Sequence, residues 1–194
     1  MTVSDNSVVF LEGKRLYLRP SCKEDVPYFL VWINDEEVRQ YLNRQVPLTE
    51  AEEVEHLEES RKKKNNVFLV IIDKKSKRPI GCMGLHDIDW KDRRATTGAV
   101  IGDKRFWNRG YGTEAKMLLL NYAFNTLNLR KICSAVLSFN KRSQTYNRKC
   151  GYRVEGVLKK QVFINGAYCD FVMMGLFKED WLPLWEKFKK KGRL

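Results

Sequence analysis

Apolar residues in this chain follow two different spacings, and the alternation between them outlines the secondary structure. Ala95 to Ile101 and Ile132 to Leu137 are short β-prone runs, and the second is apolar on both faces, which is typical of a strand covered by helices. Between them, from Gly110 onward, apolar residues recur at helical spacing, and no Gly or Pro interrupts Ala115 to Asn125. We therefore predict a strand, helix, strand unit.

The same spacings predict the rest of the fold. In chain order the elements are a first strand or hairpin within residues 8–19, helices at Lys23 to Asn34 and after Pro47 with a start signal at Thr49 to Glu52, strands at Val67 to Ile72 and Pro79 to Leu85, a helix at Lys141 to Lys149, a hairpin around Asn165-Gly166, and a last helix from near Glu179. Without repeats or linker-like segments, they predict a single α+β domain with a mixed sheet.

Composition narrows the class of protein. A chain of 194 residues with 43% hydrophobic and 31% charged residues suits one globular domain. Its apolar runs are far shorter than the roughly 18 to 20 residues that span a bilayer, and residues 1–6 lack the features of a secretion signal, so we expect a cytoplasmic protein without a membrane partner. Five scattered cysteines and two histidines indicate neither a disulfide framework nor a metal site.

Charge favours anionic partners. The formal net charge of +12 should attract coenzyme A, a nucleotide-linked sugar, RNA or a ribosomal surface, and it makes a polycationic substrate less favourable. Much of the excess lies in Arg61 to Lys64 and in the C-terminal tail, where charge runs are more often solvated faces. Because no RNA-binding motif is present, nucleic acid is a minor expectation.

The segment before the strongest helix has the features of an anion site. Gly110 and Gly112 alternate where the first backbone N–H groups of a helix lack partners, so a pyrophosphate can approach them closely. A plain glycine-rich turn is the alternative. No Gly-Lys-Ser/Thr follows, which excludes the P-loop, and the third glycine of the dinucleotide fingerprint is missing.

Trp107-Asn108-Arg109-Gly110-Tyr111-Gly112 resembles the Q/R-x-x-G-x-G/A motif of the GNAT acetyltransferase superfamily, with Trp107 at the Gln/Arg position. The resemblance extends from about Leu16 to Trp181. The sequence from Trp107 to Ala115 is similar to that of the branch that acetylates ribosomal-protein N-termini, spermidine and other polyamines, and amino sugars. It implies a twisted mixed sheet of about seven strands with four to five helices, in one domain over residues 1–194 with a core at 9–178 and a basic helix at 179–194.

The same resemblance implies acetyl-coenzyme A as cofactor and an amine as acceptor. Pyrophosphate would lie on Trp107, Asn108, Arg109, Gly110, Tyr111, Gly112 and Thr113. The backbone at Val100 and Ile101 would bind the pantetheine arm beside a splayed gap, where we expect a bulge to expose backbone groups. The acceptor would be a peptide N-terminus, an amino sugar or another small-molecule amine, and the protein a monomer or homodimer.

A second segment resembles the family's N-x-x-S/A-x-x-x-Y-x-K-x-G-F/Y pattern, with Asn140, Ser143 and Lys149 in register. Asn140, Ser143 and Tyr146 are therefore expected at the cofactor, and Asn140 is also a good helix N-cap. The family's proton-donating tyrosine aligns with Asn147, whereas the tyrosine here is Tyr146, about 100° away around a helix. Either residue is a candidate partner of the leaving thiolate.

The general base is the least specified part of the site. Thr96 occupies the position of a glutamate found in related enzymes, which leaves His86 as the catalytic candidate that titrates in the useful range. The alternatives are Asp87, Asp89, Glu114 and a water relay. Residues expected near the acceptor are Trp32, Arg39, Tyr41, Tyr168 and Asp170. The competing hypothesis is a catalytically weak module that binds coenzyme A or associates with RNA or ribosomes.

Overall fold

The computed structural model describes residues 8–192 apart from 43 and 45. Its strands are β1 (Leu11–Glu12), β2 (Leu16–Pro20), β3 (Val67–Asp73), β4 (Arg78–Asp89), β5 (Arg94–Ile101), β6 (Lys131–Leu137), β7 (Arg153–Ile164) and β8 (Ala167–Phe177). Its helices are α1 (Val26–Asn34), α2 (Glu36–Arg39), α3 (Glu50–Lys62), α4 (Tyr111–Asn121), α5 (Lys141–Lys149) and α6 (Lys178–Lys191).

All eight strands form one mixed sheet in the order β1-β2-β3-β4-β5-β6-β8-β7. Every neighbouring pair is antiparallel except β5 and β6, which are parallel because α4 carries the chain from one to the other. The predicted α+β class and mixed sheet are confirmed. The structure adds the two-residue β1 to the seven expected strands and the four-residue α2 to the five helices.

Helices cover both faces of the sheet. Because side chains alternate along each strand, one strand can contribute to the cores on both faces. Leu69 and Ile71 point to the core shared with α4 and α6, where Leu119 and Trp181 are fully buried. Val70 and Ile72 point the other way, into the core made with α1 and α3. This two-sided burial explains why β3 reads as an unbroken apolar run.

Local signals place several element boundaries as the sequence predicts. Thr49 and Glu52 form a reciprocal capping box at the start of α3. Asn165 and Gly166 both adopt positive φ, 50° and 81°, which is the type I′ geometry expected between β7 and β8. The helix after Gly110 is less regular than predicted, since α4 ends at Asn121 and a π-helical turn continues it from Tyr122 to Thr126.

Both ends of the predicted domain, residues 1–7 and 193–194, lie outside the described residues, as does the tip of the expected basic helix. Within residues 8–192, no helix has the length and apolarity needed to cross a membrane.

Candidate active site

A fork between two parallel strands opens the sheet. β5 and β6 pair over three residues, from Arg94–Lys131 to Thr96–Cys133, and then separate. Beyond that point Gly98 to Ile101 and Ser134 to Leu137 form facing walls of a cleft of about 830 Å³. This is the splayed gap that the sequence resemblance implies.

The open edge of β5 follows from its pairing with β4. The Gly102 N–H donates to the Ile80 carbonyl (3.0 Å), and the Val100 carbonyl lies against Gly81. Because antiparallel strands alternate, Val100 and Gly102 direct their backbone groups to β4, while Ala99 and Ile101 direct theirs into the cleft. The Ile101 carbonyl already accepts the Trp107 indole N–H (2.6 Å).

The bulge expected near Val100 is wrong. β5 stays in regular register with β4 from Gly81–Ile101 to His86–Thr96, and the irregularity falls later, between His86 and Asp89. The fork, rather than a bulge, exposes the β5 backbone. Val100 and Ile101 both line the cleft, but Ala99 is the backbone neighbour that sequence reasoning missed.

The glycine loop ends at the mouth of the cleft. Gly110 is the N-cap of α4 and has a φ of +80°. Because the helix begins there, the first-turn N–H groups at Tyr111, Gly112 and Thr113 have no intrahelical partners. A Cβ added to Gly112 would meet only Ile101 Cγ1, at an ordinary 3.7 Å. The fold itself therefore does not require a glycine at 112, and the bare surface fits the pyrophosphate of coenzyme A.

Arg15, in the turn between β1 and β2, holds this loop in place. Its Nε contacts Glu114 Oε2 (2.7 Å), its backbone N–H donates to Glu114 Oε1 (2.8 Å), and Nη1 donates to the Arg109 carbonyl (2.8 Å). Its guanidinium also lies 4.5 Å from the centre of the Tyr111 ring. Glu114 is 1% exposed and fully engaged, so its geometry fits a structural clamp and not a base.

The structure shows which of the loop residues predicted to bind the cofactor line the cleft. Trp107, Asn108, Gly110 and Tyr111 line the cleft together with those two residues, whereas the Arg109 side chain is not among the lining groups. Arg109 contributes its carbonyl to the contact with Arg15. Asn108 adopts φ +59°, which helps to turn the chain into the helix.

The first turn of α5 forms the wall opposite the loop. Asn140 caps it by accepting the Ser143 N–H (3.0 Å), and both residues line the cleft. Tyr146 also lines the cleft, whereas Asn147 is completely buried elsewhere and its amide has no partner within the described chain. Of these two candidates, Tyr146 is therefore the one whose side chain reaches the cleft. Burial raises the pKa of Tyr146, which keeps its hydroxyl protonated.

His86 lies in the cleft on the opposite face of the sheet from α4. Its ring crosses Gly84 and Gly98, two glycines whose missing side chains make room for it. Burial lowers the pKa of His86 against an opposing effect of Asp87, so the imidazole is neutral at pH 7 and can accept a proton. Asp87 is exposed outside the cleft, and Asp89 accepts the Asp92 N–H (2.8 Å) at the strand end.

The charged side chains that line the cleft are all basic. They are Lys141, Arg142 and Lys149, which lie beside the neutral His86, with no Asp or Glu among the described lining residues. Arg142 stacks on the Trp107 ring (3.7 Å to its centre) and faces Tyr41 (5.0 Å). The sequence contained one signal for Arg142, a basic residue between the two motif matches Asn140 and Ser143.

Of the residues expected near the acceptor, Tyr41 alone lines the cleft. Trp32 is buried against Gly102 in the α1 core, and Tyr168 is 68% exposed on the β7–β8 hairpin. Asp170 pairs with Lys159 (3.0 Å) on the same hairpin. Among the residues that the structure describes, no group of three or more His, Cys, Asp or Glu side chains could hold a metal ion.

Comparison with known proteins agrees with this geometry. A family model described as an acetyltransferase (GNAT) domain matches residues 15–153. The uncharacterized N-acetyltransferase p20 of Bacillus licheniformis is 28% identical over 176 residues, which cover 88% of this chain and 97% of that protein. The spermidine N(1)-acetyltransferase of Escherichia coli K12 is 29% identical over 170 residues, covering 85% and 87%. The crystal structure of spermidine N-acetyltransferase from Vibrio cholerae in complex with CoA and spermine has a TM-score of 0.81 and 25% identity, covering 87% and 98%.

Proposed function

This chain belongs to the GNAT family of acetyl-coenzyme A-dependent N-acetyltransferases, and we propose that it acetylates a primary amine by direct attack in a ternary complex. One observation carries the proposal. The fork between β5 and β6 leads from the bare first turn of α4 to the side chains of Tyr146 and His86, so cofactor-binding and proton-transferring groups share one cleft.

Each group has a role that its environment supports. Acetyl-coenzyme A supplies an activated thioester carbonyl. The N–H groups at Tyr111 to Thr113 hold the pyrophosphate, and the open edge at Ala99 orients the pantetheine arm. Neutral His86 accepts the proton that the amine nitrogen loses when it bonds to carbon. Tyr146 gives its hydroxyl proton to the sulfur that leaves, and solvent restores it.

The charge of the cleft supports an acceptor that is neutral or anionic apart from its amine. The spermidine acetyltransferases of Escherichia coli and Vibrio cholerae named above are similar to this chain, and spermidine is a polycation. In this chain the described lining residues include three cationic side chains, Lys141, Arg142 and Lys149, and no carboxylate, and the whole chain carries a formal net charge of +12. A second ammonium group would be repelled in such a field. A peptide N-terminus or an amino sugar, including a nucleotide-linked one, fits better.

A coenzyme A-release assay across a panel of acceptors tests both parts of the proposal. The panel contains short peptides, glucosamine, a nucleotide-linked amino sugar, spermidine and spermine, each at several salt concentrations. We expect turnover with a neutral or anionic acceptor and at least tenfold lower kcat/KM for the polyamines. Spermidine as the best acceptor would contradict the charge argument. Uniform inactivity with retained acetyl-coenzyme A binding would support the non-catalytic module instead.

A further inference from the structure

A lysine is buried directly behind the fork. Lys116 lies on α4, in the second turn, and is 0% exposed. Its ammonium donates to Thr97 Oγ1 (2.6 Å) and lies 5.3 Å from the ring centres of both Tyr146 and Tyr152. Among the described residues, no carboxylate oxygen lies within ion-pair distance of Lys116 Nζ, so this positive charge has no counter-ion.

Burial without a counter-ion is costly, and packing alone would be served as well by an apolar side chain. An ammonium in a dry interior loses its hydration, and one hydroxyl with two aromatic faces replaces only part of it. Even buried ion pairs, which have their counter-ions, can often be replaced by apolar residues of similar size without loss of stability. Lys116 is also too deep to extend its charge to solvent, as most core lysines do.

The partners of Lys116 connect it to the reacting end of the cleft. Thr97 is the first residue of β5 beyond the last pair with β6, which is Thr96–Cys133. Thr97 and Tyr146 both line the cleft, while Lys116 stands one layer behind them. The Thr97 hydroxyl is further fixed by the Tyr152 hydroxyl (3.2 Å).

We propose that Lys116 is a positioning residue for acetyl transfer, whose buried positive charge acts through Thr97 and Tyr146 to stabilise negative charge on the coenzyme A sulfur. The inference rests on the proposed function and adds to it the group that supports the leaving thiolate. It also gives a reason for Tyr146 to serve here, because the ammonium lies over the ring of that residue.

The charge of Lys116 depends on pH within the working range of an enzyme. Burial lowers its pKa to about 8, against an opposing effect of Cys150. The titratable groups that face it are Tyr146 from α5, Cys150 directly after α5, and Tyr152 before β7. His86 lies across the sheet, and the charge of Lys116 helps to lower its pKa. Burial raises the pKa of Cys150 to about 12, so that thiol is neutral. Lys116 is therefore charged below pH 8 and neutral above it.

Titration of the thiol of bound coenzyme A, followed by thiolate absorbance, tests the proposal without an acceptor. We compare the wild-type protein with Lys116→Met, which removes the charge, and Lys116→Gln, which keeps a donor for Thr97. The thiol of coenzyme A should ionise about one pH unit lower in the wild type than in either variant, because a nearby cation favours the thiolate. Lys178→Met is the matched control, since Lys178 is a partly buried lysine that donates to the Phe124 carbonyl (2.9 Å) outside the cleft.

Steady-state kinetics with the acceptor found by the panel provides the second measurement. In the wild type, kcat should fall above pH 8, where Lys116 loses its charge. Lys116→Met should lower kcat at least tenfold at pH 7, leave the KM for acetyl-coenzyme A within threefold of the wild-type value, and lack this fall above pH 8. Equal thiol titrations in wild type and Lys116→Met would overturn the proposal, as would unfolding of both Lys116 variants. A wild type that acetylates no amine would refute the proposed function, and the titration would still judge Lys116.

Discussion

Gly112 gives the sharpest test of the cofactor site, because the fold tolerates a side chain there and the proposed ligand does not. The residue lies in the first turn of α4, and an added Cβ would meet only Ile101 Cγ1 at 3.7 Å. Gly112→Ala should therefore fold normally, and an alanine in a helix is more favourable than a glycine by roughly 0.5–1 kcal/mol. The added methyl group would stand where the pyrophosphate approaches the N–H groups.

The size of the effect follows from the hydrogen bonds at stake. A backbone N–H that donates to a charged phosphate contributes about 1.5–3 kcal/mol. Losing one such bond corresponds to a Kd for acetyl-coenzyme A about 10- to 150-fold higher, since each 1.4 kcal/mol is a factor of about ten. Gly112→Val should raise the Kd further because it places two more methyl groups in the same space.

Calorimetric titration with acetyl-coenzyme A, paired with a thermal melt, separates binding from folding. Gly156→Ala is the matched control, because Gly156 lies on β7 and an added Cβ there meets no atom within 4 Å. Gly110→Ala should instead lower the melting temperature, since its φ of +80° disfavours any side chain. A Gly112→Ala protein that melts like the wild type and binds acetyl-coenzyme A within twofold of it would refute the pyrophosphate assignment.

Three further predictions concern the proton-transferring groups and the loop clamp. Tyr146→Phe should lower kcat about 10- to 100-fold with little change in the Kd of acetyl-coenzyme A, and undiminished turnover would exclude its hydroxyl as the proton donor. In the wild type, kcat should fall as the pH drops through the pKa of His86, which burial lowers below 6.5, and His86→Gln should lack this fall. A His86→Gln protein whose kcat still falls in the same pH range would rule His86 out as the base. Arg15→Met should raise the Kd of acetyl-coenzyme A about fivefold and lower the melting temperature, because the buried Glu114 would lose its guanidinium partner and keep the backbone N–H of residue 15 as donor. A Kd unchanged in calorimetric titration would show that the loop needs no clamp.

Local chemistry decides which parts of the fold are predictable from sequence. The capping box at Thr49, the Asn165-Gly166 turn and the apolar run of β3 each depend on neighbouring residues, and the structure has them as predicted. The π-helical turn at Tyr122 to Thr126 was missed, because the same helical spacing of apolar residues fits an α-helix and a π-turn. The expected bulge near Val100 was wrong because exposure of β5 comes from its separation from β6, which is a long-range relation between two strands.

The cofactor-binding half and the chemical half of the candidate site also differ in how far the sequence predicts them. Cofactor recognition uses backbone groups at the start of a helix, and the glycines that leave those groups bare stand together in the sequence at 110 and 112. The chemical half combines side chains from distant segments: His86 from β4, Thr97 from β5, Lys116 from α4 and Tyr146 from α5. No spacing in the chain joins these four, so only the fold brings them to one fork. The sequence likewise gives no sign that Lys116 is buried without a carboxylate, although its charge is the feature of the site that most needs a chemical reason.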